Sequence, residues 1–198
     1  MSAFATLRNF ARNPEALEHC DLCGTGLFLD HQHLLEPKSR RLICACDACA
    51  LLFYQGGETK YKRVPRRVRA LPDFRMTDAR WDDLMIPIGL AFFVESSAEN
   101  RVLAMYPSPA GSTESLLSLE AWAEIVQENP ILAEMESDVE AILVNRLDGT
   151  GNYYMVPIDK CYQLVGLIRA NWQGLSGGAE VWEKIRGFFQ SLKERADA

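Results

Sequence analysis

Downstream of residue 70 the apolar positions alternate between short strand-like runs and stripes at helical spacing. Residues 88–95 form an apolar run of strand length, and 101–106 read as its hairpin partner across the polar turn 96–100. A second hairpin joins 139–146 to 152–158 through Asp148-Gly149-Thr150-Gly151. Helical spacing predicts a short helix over 78–84, with Thr77 placed to cap it. Another helix is predicted over 118–129, with a stripe of Leu119, Trp122, Ile125 and Val126 and with Pro130 just beyond its end. Residues 131–135 suit one further helical turn. Two helices close the pattern. Residues 159–172 place Cys161, Tyr162, Val165 and Ile168 on one side, and 178–196 carry Val181, Trp182, Ile185, Phe188, Phe189 and Leu192. Between the strands, Tyr106-Pro107-Ser108-Pro109-Ala110-Gly111-Ser112 reads as a rigid loop. Hairpin strands with helices grouped between and after them indicate an α+β domain, and the aromatic stripes are its core.

The first seventy residues lack this regularity. Residues 1–11 read as a short helix without the uninterrupted apolar core of a signal peptide. Five of the six cysteines then fall between positions 20 and 49, as Cys20-Asp21-Leu22-Cys23 and Cys44-Ala45-Cys46-Asp47-Ala48-Cys49. Next, residues 60–69 hold six basic side chains, with Pro65 against one continuous helix. The expected organisation is an N-terminal helix and metal-binding module over 1–58, a basic connector over 59–70, and the α+β domain over 71–198.

Charge sharpens that division. The net charge of −6 separates into +4 for residues 1–69 and −10 for 70–198. The basic stretch therefore reads as a solvated linker that pairs with the acidic second part, and general nucleic-acid affinity is not expected. The longest apolar stretch, near residues 85–94, is too short and too broken by Pro87 and Gly89 to span a bilayer. With no membrane segment and clustered thiols, the expected compartment is the cytoplasm, where such thiols favour metal over disulfide.

Two Cys-x-x-Cys pairs about twenty residues apart are the spacing of a tetrahedral thiolate site. The predicted ligands are Cys20, Cys23, Cys46 and Cys49, in a zinc-ribbon-like or treble-clef-like module. Gly24 suits the tight turn after the first pair, and residues 50–54 can run on as a helix after the second. Zinc is expected, because a closed four-sulfur site suits a structural ion, and iron is the alternative in a rubredoxin-like centre. Cys44 shares an extended face with Cys46 and is an alternate ligand. His31 and His33 share such a face too, and could ligate or shape a second site. Cys161, far from the cluster on a predicted helix, reads as a buried structural thiol. No phosphate loop or other catalytic set is assigned: Gly111-Ser112-Thr113-Glu114 and Ser176-Gly177-Gly178-Ala179-Glu180 read as helix starts, with Ser118 and Ser176 as caps.

Two resemblances add expectations. The Cys20-x-x-Cys23-Gly24, Asp30-His31 and Cys46-x-x-Cys49 series resembles the cysteine-framed His-Asn-His endonucleases, which would make His31 the general base. However, Ala50-Leu51-Leu52-Phe53 stand where that family has polar ligands, so only the scaffold is similar. The combination of Cys-x-x-Cys-Gly, His-x-His-Leu, Cys-x-Cys-x-x-Cys-Ala-Leu-Leu-Phe, Tyr-Pro-Ser-Pro-Ala-Gly-Ser-Thr-Glu-Ser-Leu and Leu-Ser-Gly-Gly-Ala-Glu-Val-Trp resembles an uncharacterised bacterial family. Its members look like neighbours of nickel-iron hydrogenase genes. The resemblance implies a non-enzymatic accessory role, with a hydrogenase or its maturation machinery as the protein partner. A rubredoxin-like iron electron carrier is the alternative, ahead of a degenerate nuclease or a nucleic-acid-binding zinc ribbon.

Overall fold

The computed structural model describes residues 18–53, 60–115 and 119–196. The helix expected over 1–11 and the cap expected at Ser118 lie outside those residues. The chain divides into two compact units, Met1–Glu36 with Arg41–Arg63, and Pro37–Arg40 with Val64–Ala198.

In the first unit, β1 (Gln32–Glu36) pairs antiparallel with β2 (Arg41–Ala45) on one side and β3 (Lys62–Arg63) on the other. A five-residue helix, α1 (Asp47–Leu51), follows β2 directly. The buried cluster is small: Cys20, Leu27, Leu34, Ile43, Ala45 and Ala50, with Phe53 and Tyr61 packed against it and meeting each other edge to face at 5.5 Å. Only Leu27, Leu34 and Ile43 are large aliphatic members. A core this size supplies little folding free energy, which is the usual setting for a metal staple.

The second unit is α+β. Its sheet has six antiparallel strands in the order β4-β9-β8-β5-β6-β7: β4 (Arg69–Ala70), β5 (Leu90–Ser96), β6 (Arg101–Ser108), β7 (Gly111–Ser115), β8 (Glu140–Asn145) and β9 (Asn152–Pro157). Helices cover both faces. Phe93, Ala91, Ile142 and Val144 pack with Trp81 of α2 (Asp78–Asp83), with Trp122 of α3 (Leu119–Glu128), and with Leu132 of the short 3-10 helix Pro130–Glu134. Phe93 stacks on Trp122 at 5.0 Å. On the opposite face, Phe92 meets Tyr162 of α4 (Ile158–Asn171), and Tyr154 meets Phe189 of α5 (Gly178–Ala196). Strands buried on both faces cannot show an alternating pattern, which is why β5 and β8 read as continuous apolar runs.

Three local readings change. Gly111–Ser115 is the strand β7 and not a helix start. The segment 106–112 is a β-hairpin between β6 and β7 rather than a loop, with Pro107 paired to Ser112. Pairing of β5 with β6 ends at Met105, so Pro107, which lacks an N–H, needs no donor toward β5. The turn closes through Ser108, whose hydroxyl donates to the Gly111 carbonyl at 2.9 Å, with Gly111 at φ +125°. At the start of α5, Gly177 rather than Ser176 directly precedes the helix, at φ +86°. The Ser176 carbonyl instead accepts from the Trp182 indole at 3.1 Å.

Lys60, Arg63, Arg67 and Arg69 of the basic segment engage acidic or polar side chains. Lys60 lies 3.4 Å from Glu36, Arg63 donates to Gln32, and Arg69 pairs with Glu134 at 2.8 Å. Arg67 grips the fully buried Glu140 with two donors, Nε to Oε1 at 2.7 Å and Nη2 to Oε2 at 2.9 Å.

Candidate metal centre

The first cysteine pair sits in a tight turn. The Gly24 amide donates to the Cys20 carbonyl and the Cys20 amide to the Thr25 carbonyl, both at 2.8 Å, while His19 and Gly26 form a bridge beneath. Gly24 takes φ +75°, the left-handed conformation expected there. The second pair is organised by a helix start. Cys46 is the N-cap of α1, and its sulfur accepts from the Cys49 amide at 3.4 Å. The helix begins at Asp47, three residues earlier than the sequence suggested, because a cysteine sulfur can fill the capping role.

Asp21 ties the two pairs together. Its carboxylate accepts from the Cys44 amide at 2.7 Å, and its own amide donates to the Cys44 carbonyl at 2.9 Å. The turn is thereby clamped to β2, two residues before Cys46. Gln32 braces the other side, donating to Asp47 at 2.9 Å and accepting from Arg63. Neither support announces itself in a single sequence. The Asp between the first two cysteines was the available signal for the clamp.

All four sulfurs of Cys20, Cys23, Cys46 and Cys49 lie within 4.8 Å of one another. The Cys23 and Cys46 sulfurs are 3.7 Å apart. A tetrahedron with metal–sulfur bonds of about 2.3 Å has edges of about 3.8 Å, so this edge already has the right length for an ion. Cys20 is buried, Cys46 and Cys49 are half-buried, and Cys23 is exposed. Burial pushes the Cys20 thiol up, but hydrogen bonds from the Cys46, Leu22 and Cys23 amides and from the Cys23 thiol outweigh it and bring the pKa down to about 6. Cys49 moves the other way, to about 12, because hydrogen bonding to Cys46 and then burial favour its protonated form. Cys20 is thus favoured as thiolate, and a metal would displace the proton that Cys49 favours. Such a donor set can hold a soft or borderline metal ion.

Cys44 is separate from this cage. It groups with His31 and His33, one ligand atom from each lying within 4.8 Å of the others. Burial raises its thiol pKa, with further upward pushes from Glu18, Asp21 and Cys20. Cys161 lies in the second unit, fully buried on α4, where burial and then Asp159 hold its thiol well above the ordinary value. After the second pair, Ala50 is buried while Leu51 and Leu52 are exposed and apolar. Among the described residues, no helix is long and apolar enough to cross a membrane.

No curated protein matches the chain. No solved structure matches it either. Residues 19–196, which include both cysteine pairs and nearly all of the α+β unit, match the family described as "Family of unknown function (DUF5947)". The chain belongs to that family.

Proposed function

We propose that this protein is a non-enzymatic metal-binding accessory factor whose Cys20, Cys23, Cys46 and Cys49 hold a structural zinc ion. The observation that carries this reading is the convergence of four sulfurs around a 3.7 Å edge, backed by amide donors, in a unit whose own core is small. In such a unit, ligand binding and folding are the same event, and zinc-peptide values of about 10–16 kcal/mol set the scale. Zinc would close the cage with no open position, as befits a fold-holding ion rather than a catalytic one. The function then lies in what the protein's surfaces contact. The resemblance described above suggests a nickel-iron hydrogenase or its maturation machinery as the partner.

Iron in the same cage is the second reading, favoured by one feature. Cys23 is exposed, which would give electrons a short path to an external acceptor. Metal analysis and an optical spectrum of anaerobically purified protein separate the two. Stoichiometric zinc without visible bands supports the structural reading, whereas red, reducible iron replaces it with electron transfer. For the partner, affinity capture from native cells should enrich a hydrogenase subunit, and repeated capture without one removes that part of the proposal.

A further inference from the structure

We propose that His31, His33 and Cys44 form a second metal site, distinct from the four-thiolate cage, for a divalent transition-metal ion such as zinc or cobalt(II).

The site follows from strand register. In the β1–β2 pair His33 stands directly opposite Cys44, and side chains so placed project to the same face of the sheet. His31 lies just before β1, two positions from His33, and its ring stands beside the His33 ring. The rings meet edge to face, with centroids 4.8 Å apart. One ligand atom from each of the three residues lies within 4.8 Å of the other two. Three points so spaced share a centre no farther than 4.8 Å divided by √3, about 2.8 Å, from each. Bonds of about 2.0–2.1 Å to nitrogen and about 2.3 Å to sulfur then need inward movements below about 1 Å, within the reach of side-chain rotation.

His31 is oriented as a ligand. Its side chain is only 6% exposed, and its Nδ1 lies 2.8 Å from the Phe28 carbonyl. A carbonyl accepts only, so Nδ1 carries the proton, and Nε2 is the nitrogen that presents a lone pair when the ring is neutral. A ligating histidine is typically fixed in this way by a hydrogen bond at its other nitrogen. Beside Nε2, at 3.2 Å, lies a Glu18 carboxylate oxygen. That is close to the edge of about 3.4 Å expected between nitrogen and oxygen ligands of one tetrahedral ion. The Glu18 carboxylate lies outside the 4.8 Å grouping of His31, His33 and Cys44, so this exposed side chain would have to swing inward to take a fourth position.

The donor chemistry sets the class of ion. Two imidazoles and a thiolate suit zinc, cobalt, nickel or copper and disfavour magnesium or calcium, which take oxygen donors. Electrostatics helps further. Four thiolates around a divalent ion leave a charge of −2 on the neighbouring cage, and Cys44 lies two residues from the cage ligand Cys46. With three protein ligands and an exposed fourth, this ion would exchange more readily than the caged one.

The test uses the whole chain, reduced, stripped with a chelator under anaerobic conditions and titrated with cobalt(II). Two equivalents should bind, and X-ray absorption should show nitrogen at about 2.0–2.1 Å only once the second site fills. The double variant His31→Ala, His33→Ala should lose one equivalent and keep an all-sulfur shell. A single equivalent with an all-sulfur shell in the unmodified protein overturns the proposal, as do two equivalents without nitrogen, no binding at all, or a variant that still binds two. Should the variant fail to fold, the nitrogen shell of the unmodified protein decides alone. One equivalent with a nitrogen-containing shell would keep this site and sink the four-thiolate reading instead.

Discussion

Arg67→Ala tests whether the basic segment is a structural strut of the α+β unit. Glu140 opens β8 with its side chain fully buried, and three donors hold it: Arg67 Nε, Arg67 Nη2 and the Glu136 amide at 3.0 Å. The variant removes two of the three. Breaking a buried ion pair typically costs about 3–5 kcal/mol, because a charge is stranded in a low-dielectric site. The Arg67 side chain is 46% exposed, so water can enter where the guanidinium was, and the expected loss drops to about 2–3 kcal/mol. All four tryptophans lie between residues 81 and 182, inside the second unit, so fluorescence during urea unfolding reports on it alone. With a urea slope of about 2 kcal/mol/M the midpoint should fall by about 1–1.5 M at unchanged slope. The double variant Arg67→Leu, Glu140→Leu should recover much of the loss, since no buried charge remains. A single variant within about 0.5 kcal/mol of the parent would refute the reasoning and return residues 60–69 to a solvated linker.

Cys46→Ser removes a proposed ligand while leaving a hydroxyl able to cap α1, so metal loss alone should make the first unit protease-sensitive while the tryptophan-reported transition stays in place; a shared collapse of both would refute separate cores. Gly24→Ala puts a side chain at φ +75°, where no atom obstructs the added carbon, so the cost is backbone strain of about 1–2 kcal/mol. Metal affinity by competition with a chromophoric chelator should weaken roughly 5- to 30-fold if the strain falls on the loaded turn. Cys161 should resist alkylation in chelated protein, where the second unit stays folded, while the other five thiols react, as counted by mass spectrometry. Its raised folded pKa means the unfolded chain ionises first. The corresponding stability is therefore intact below the ordinary thiol value of 9.0 and declines as pH rises past it, by up to about 1.4 kcal/mol per pH unit.

Local features were the legible ones. The two cysteine pairs, the Thr77 cap and the bounds of α5 are written in contiguous residues, and each was readable from spacing or capping chemistry. Features fixed by pairing were not. Pro107 looked like a loop marker until the end of β5–β6 pairing showed that its missing donor costs nothing there. His31, His33 and Cys44 could be flagged separately, but only the register that sets His33 against Cys44 brings them to one point. The role of Arg67 was hidden for the same reason, since its partner lies 73 residues away. The basic run could be paired with acidic charge in general, not with Glu140 in particular.

The central claim is that Cys20, Cys23, Cys46 and Cys49 enclose one tightly held ion that folds the first unit. X-ray absorption on the as-purified protein, combined with metal analysis and the far-ultraviolet spectrum before and after chelation, addresses it most directly. The account predicts zinc, a four-sulfur shell at about 2.3 Å for the most tightly held ion, and loss of the first unit's structure on its removal. A first unit that keeps its structure without metal, or a tightest ion with fewer than four sulfur ligands, would contradict it.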